Sequence, residues 1–135
     1  AYCQETGQPP PETRSQVARC ILERLALSYR AALEEIEGLT GRSISRLHIV
    51  GGGSQSALLN QFAANATNQE VVAGPVEATA AGNILIQAIA LGQVESLSAL
   101  RQIVSNSFPL KTFQPVDSTN WQDAYRRFAQ LKLAT

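Results

Sequence analysis

The 135 residues include no methionine, a single histidine, a single tryptophan, two cysteines and two aspartates, and each shortage excludes something. One histidine, His48, cannot build a metal site without further histidines or thiolates beside it. Cys3 and Cys20 lack the C-x-x-C spacing of a metal or redox pair. They read either as two structural thiols in a reducing compartment or as a bridge closing the Pro-rich entry onto the first helix. Eleven Lys and Arg balance eleven Asp and Glu, so the net charge is zero. The basic excess of a nucleic-acid-binding face is missing. No stretch approaches the roughly 18 consecutive apolar residues of a membrane span. No N-terminal apolar run resembles a signal peptide, so a cytoplasmic location is expected. The missing methionine and the start at Ala1 suggest a piece of a longer polypeptide. What is present is a composition of 44% hydrophobic and 16% charged residues, that of a soluble globular domain with one modest core.

The pattern along the chain alternates helices with short strands. Residues 1–11, ending in Pro9, Pro10 and Pro11, read as an extended entry that cannot be helical. Residues 12–135 read as one domain. Val17, Ile21, Leu25, Tyr29 and Leu33 recur every four residues, with Ile36 after them, and predict a long helix over 12–37. Pro11 suits its first position, while Gly38 and Gly41 supply the stop. Leu22 and Leu27 widen the stripe toward a second neighbour. A strand follows over 46–50, then three glycines and a helix carrying Leu58, Leu59, Phe62, Ala63 and Ala66. Residues 70–73 predict a second strand, closed by Gly74-Pro75. Pro75 suits the start of a third helix, which runs to Gly92 with Glu77 in its first turn. A helix over 96–105 comes next, then an extended run over 108–116 and a last helix over 118–131. Trp121, Tyr125 and Phe128 fall at helical spacing, which fits packing residues better than an aromatic platform for a base. Strand–helix alternation predicts an α/β fold with a parallel sheet. Two strands are too few for such a sheet, which implies completion by further chain.

The stretch Gly51-Gly52-Gly53-Ser54-Gln55-Ser56 stands where a strand passes into a helix. Glycines allow positive φ and let a ligand approach the backbone. The following helix offers unpaired N–H groups and the positive end of its dipole, with Ser54 or Ser56 as cap. An anion or nucleotide edge would fit there; a tight turn without a ligand is the plain alternative. A Walker A loop is excluded, because no lysine follows the glycines. The dinucleotide fingerprint fits Gly51 and Gly53 but meets Ser56 at its third glycine. Glu70 falls near the right distance for a ribose-binding acid but opens its strand rather than closing it.

Taken together, "HIVGGGSQSALLNQFAANATNQEVVAGPVEATAAGNILIQAIALG" resembles the C-terminal lobe of the FGGY carbohydrate kinases. A strand running into Gly-Gly-Gly, a helix with Leu-Leu-Asn-Gln, a short strand and Gly-Pro-x-Glu-Ala-x-x-x-Gly-Asn carry the resemblance. It is strong over residues 45–92 and looser on either side. It implies the C-terminal lobe of an actin- and hexokinase-like, ribonuclease H-like fold: a partial parallel sheet with flanking helices. Its partner would be the N-terminal lobe of the same kinase. It also implies transfer of the γ-phosphoryl of ATP, with Mg²⁺, onto a ketose, in the nearest branch the 1-hydroxyl of L-rhamnulose. Gly52 and Gly53 are then the expected backbone contacts to ATP or ADP, and Ser54 and Gln55 the expected polar contacts. Ser56 is the expected cap. Glu77 is either a helix-start charge or a site residue, and close packing is expected to compensate for Gly82 in mid-helix.

No catalytic base is expected in this stretch of chain. Phosphoryl transfer needs a carboxylate near the acceptor hydroxyl. The two aspartates, Asp117 and Asp123, are both in the tail. The resemblance places the catalytic aspartate, most sugar contacts and most of the metal seat in the other lobe. A non-catalytic interaction or regulatory module that kept the lobe's shape is the alternative from a different class, and a dinucleotide-binding fragment a third.

Overall fold

A computed structural model describes residues 2–5 and 7–133. A short helix α1 (Tyr2–Glu5) precedes the Pro-rich run, contrary to the expectation of an entry without helix. The prolines act only on their own positions and the residue before each, so Tyr2–Glu5 escapes them. Helix α2 (Arg14–Thr40) starts later than Pro11 suggests. Its cap is Thr13, whose Oγ1 accepts the Gln16 N–H at 3.2 Å while Gln16 Oε1 accepts the Thr13 N–H at 3.0 Å. This reciprocal box satisfies two first-turn donors that a proline in that place would leave to solvent. Gly38 passes inside the helix, and the stop is Gly41 in the left-handed region at φ 66°.

The i, i+4 stripe on α2 does not stay on one face. At 3.6 residues per turn each four-residue step advances by about 40°, so Val17 and Leu33 differ by about 160°. Val17, Ile21, Leu25 and Ile36 are consequently exposed, and Ala26 and Leu27 are the buried positions. Leu22 packs beside them, as its place in the widened stripe suggests.

Strand β1 (Arg46–Ile49) leads through a 3₁₀ turn (Gly51–Gln55) into α3 (Ala57–Thr67), and β2 (Glu70–Ala73) follows. The two strands pair in parallel with Leu47 opposite Val71 and Ile49 opposite Ala73. Helices α4 (Ala78–Ala90) and α5 (Leu97–Ser107) come next, then β3 (Lys111–Phe113) and α6 (Thr119–Leu133). Strand β3 lies antiparallel on β2, giving the order β1-β2-β3. The sheet is therefore mixed: the expected parallel pair plus an antiparallel edge, a common addition to α/β sheets. Three residues with only Phe113 half-buried leave no alternation by which β3 could be told from a loop.

Helix α3 is the centre of the fold. Its Ala63, Ala64 and Ala66 let α2 and the sheet approach closely. One core joins Ala26, Leu27, Phe62, Ala66 and Trp121; the other joins Ile49, Ala63, Ala64 and Val71, with Tyr29, Leu47 and Phe113 packed against it. Helices α4 and α5 contribute no buried residue, and Ile84 and Leu91 are more than half exposed. A Cβ on Gly82 would meet nothing within 4 Å, so the close packing expected to compensate for that glycine is not made. Cys3 and Cys20 are free thiols.

Candidate functional site

Two sequence motifs far apart in the chain meet at the carboxyl ends of the parallel strands. The Gly74 N–H donates to the Ile49 carbonyl at 2.9 Å, and the Gly51 N–H donates to the Pro75 carbonyl at 3.1 Å. The glycine turn and the Gly-Pro-Val-Glu turn are thus stitched into one rim. In α/β sheets this is the edge where ligands bind. Pro75 belongs to this turn, in a cis peptide with Gly74, and does not open the helix as expected. Helix α4 begins at Ala78, after Glu77.

The three glycines do different work. Only Gly51 has positive φ, at 70°, and only there does the turn demand a glycine for its backbone. Gly53 is half-buried, and a Cβ on it would stand 3.4 Å from Ile49 Cγ2. Gly52 is exposed, lies outside the positive-φ region and has nothing within 4 Å of where a Cβ would point. It is also the second residue of a 3₁₀ turn, where the N–H has no internal acceptor. The fold as described gives Gly52 no reason to be a glycine and leaves the space beside its backbone open.

The remaining candidates separate by direction. Ser54 turns inward: it is 7% exposed, and its Oγ donates to the Gly51 carbonyl at 2.7 Å. Gln55 is exposed on the outer side of the turn. Ser56 is the cap of α3, its Oγ accepting the Leu59 N–H at 3.3 Å, as expected from the sequence. Glu77 stands at the N-cap of α4 without a capping hydrogen bond, next to Val76, whose carbonyl is 4.0 Å from where a Gly51 Cβ would be.

The carboxylates of the tail are engaged locally. Asp117 accepts from Asn120 Nδ2 at 3.0 Å, and Asp123 pairs with Arg126. His48 is exposed on β1, and among the described residues no group of three or more His, Cys, Asp or Glu could hold a metal ion. No side-chain cluster among the described residues would hold Mg²⁺ by itself, and the exposed Gly52 leaves its backbone open to an approaching ligand. A cavity of about 210 Å³ lies at the other end of β2, where Arg30, Glu34, Asn68 and Gln122 face one another. It shares no residue with the glycine rim.

The amino-acid sequence matches the C-terminal domain of the FGGY family of carbohydrate kinases over residues 2–91. The chain belongs to that family. Its relatives include the rhamnulokinase of Bacteroides thetaiotaomicron, 53% identical over 127 residues, which takes in 94% of this chain and 26% of the relative. The rhamnulokinase of Pectobacterium atrosepticum is 45% identical over 130 residues, 96% of this chain and 26% of the relative. That of Enterococcus faecalis is 49% identical over 123 residues, 88% and 25%. The chain thus spans about a quarter of the length of these relatives. Membership of the FGGY family makes this an α/β lobe of the actin and hexokinase type, as the motifs imply, and its small mixed sheet and flanking helices agree.

Two contributors to the rim escape a reading of the motif alone. Pro75 supplies its carbonyl, which no side-chain pattern encodes. Asn60, fully buried on α3, donates from Nδ2 to the Ser54 carbonyl at 2.9 Å. A carboxamide amid Leu59, Phe62 and Ala63 on a helix's inner face was the signal that could have revealed it.

Proposed function

We propose that the chain is the nucleotide-side lobe of an ATP-dependent ketose kinase, which joined to its N-terminal lobe phosphorylates the 1-hydroxyl of L-rhamnulose. The observation that carries this proposal is the exposed Gly52, a glycine with no internal demand for one, on a rim that unites both family motifs. The Gly52 and Gly53 backbone and the Gln55 side chain face the nucleotide; Ser54 serves by bracing the turn from within. Backbone donors held in place in advance suit charged oxygens, because they cost little reorganisation on binding. Any Mg²⁺ would be held mainly by the nucleotide phosphates and the other lobe, which would also supply the base and most sugar contacts. The rhamnulokinases named above point to the sugar: their name and their identity to this chain support L-rhamnulose as acceptor.

The test is a coupled ADP-release assay of the complete polypeptide over a panel of ketoses. L-rhamnulose is expected to give the highest kcat/KM. Gly52→Val keeps the N–H but sets a branched side chain in the open space beside it; holding the nucleotide away from that one charged hydrogen bond is expected to raise the KM for ATP about tenfold or more. An unmoved KM for ATP in folded Gly52→Val would refute the nucleotide assignment.

A further inference from the structure

We infer that Asn60 is a positioning residue for nucleotide binding, fixing the glycine turn through the Ser54 carbonyl. The inference rests on the nucleotide reading of the rim given above. A five-residue 3₁₀ run is longer than such turns usually are, with poorer hydrogen-bond geometry than an α-helix. Three glycines add the largest backbone entropy to lose. Left to itself the segment Gly51–Gln55 would sample many shapes, and Gly52 would present its N–H in as many directions.

Three tethers hold it. The Gly51 N–H is tied to Pro75 on the neighbouring strand's turn, and Ser54 Oγ is tied to the Gly51 carbonyl inside the turn. The third runs from Asn60 Nδ2 to the Ser54 carbonyl, linking the turn to the most buried helix of the fold. Asn60 is 0% exposed, so it touches no ligand, and its action must pass through Ser54.

The other half of the carboxamide makes the assignment sharper. Asn60 Oδ1 is buried without a hydrogen-bond partner. An unsatisfied buried acceptor is a standing cost, and a leucine of similar size would remove it. Stability alone gives no reason for an asparagine among Leu59, Phe62 and Ala63. The donated bond to the turn does.

The experiment uses the complete kinase with Asn60→Leu, and measures the KM for ATP, the KM for the ketose and the melting temperature. The KM for ATP is expected to rise about fivefold, one neutral hydrogen bond's worth. The ketose KM should stay within about twofold and the melting temperature should hold, since the lost donor and the removed orphan acceptor offset each other. Asn60→Ser, whose hydroxyl is too short to reach Ser54, provides the same reading should Asn60→Leu fail to fold. Combining Asn60→Leu with Ser54→Ala should cost less than the sum of the two, because both act on one turn. An unmoved ATP KM in either folded variant overturns the inference, as does a melting temperature that falls while both KM values stay put. Gly52→Val run in parallel separates the failures. If it raises the ATP KM and the Asn60 variants do not, only the positioning role falls; if it does not, the nucleotide reading falls.

Discussion

The Tyr125 hydroxyl donates to the Glu34 carboxylate across 2.6 Å, joining the last helix to the first long one. Arg30 completes the group, its Nε donating to the other Glu34 oxygen at 2.9 Å and its guanidinium carbon lying 4.1 Å from the Tyr125 ring centroid. Burial and then the Glu34 carboxylate push the Tyr125 phenol up to about 12. A group whose pKa is raised on folding stabilises fully below its unfolded value, here 10.0, and loses that contribution as the pH climbs to about 12. Alkaline titration followed by tyrosinate absorbance is expected to show a phenol ionising near 12 that disappears in Tyr125→Phe.

The acid side of the same contact has the opposite sign. Burial raises the Glu34 carboxyl, but the Tyr125 hydroxyl and the Arg30 guanidinium outweigh it and hold it below its ordinary 4.5. A depressed pKa contributes stability that is present above 4.5 and lost as the pH falls through the folded value. The melting temperature of the native protein should therefore drop on acidification more steeply than that of Glu34→Gln. Equal slopes in the two would mean the carboxylate contributes nothing.

How far the sequence foretold this structure depends on which signal each element leaves. The helix around Leu58, Leu59 and Phe62 and the strands before and after it are marked by dense apolar residues between glycines, and they fall within a residue of expectation. The last helix with Trp121, Tyr125 and Phe128 is packed on the core as its spacing suggests. The failures are of three physical kinds. Thr13 displaced Pro11 at the start of α2 because a reciprocal cap outweighs a preset φ. The helix cost of Gly82 predicts a close contact to offset it, and none lies within 4 Å of where its Cβ would be. Strand β3 lies within the run over 108–116 that reads as extended, but its pairing with β2 is a tertiary event with no local trace. The rim was half legible: the glycines announce a turn, but the carbonyl of Pro75 and the inward rotation of Ser54 are set by backbone geometry.

Substituting the adjacent glycines should separate backbone demand from ligand demand. Gly51 sits at φ 70°, where an L side chain costs about 1–2 kcal/mol, so Gly51→Ala is expected to destabilise by that amount. Gly52 has no such restriction and open space around it, so Gly52→Ala should be neutral or stabilise by up to about 1 kcal/mol through the unfolded chain. Urea midpoints at constant m-value give the comparison. A Gly52→Ala as damaging as Gly51→Ala would show that the turn itself requires both.

The pairing of Trp121 with Phe62 bears on whether α6 is part of the domain or an arm beside it. The ring centroids are 5.1 Å apart at 53°, and Trp121 is 9% exposed in the cluster that also holds Ala26 and Leu27. Arg19 lies over the other ring, its guanidinium carbon 5.6 Å from the Phe62 centroid. Removing the indole therefore opens the centre of a core shared by α2, α3 and α6. Trp121→Ala is expected to cost about 3–5 kcal/mol, with Trp121→Phe costing less because the aromatic contact survives. The single tryptophan lets its own fluorescence follow unfolding in the native chain, while circular dichroism at helical wavelengths follows the rest. The two transitions should coincide, as they do when one cooperative unit melts. An indole signal that changed at lower denaturant than the helical signal would mean α6 detaches first and that its packing on Phe62 is peripheral to the fold.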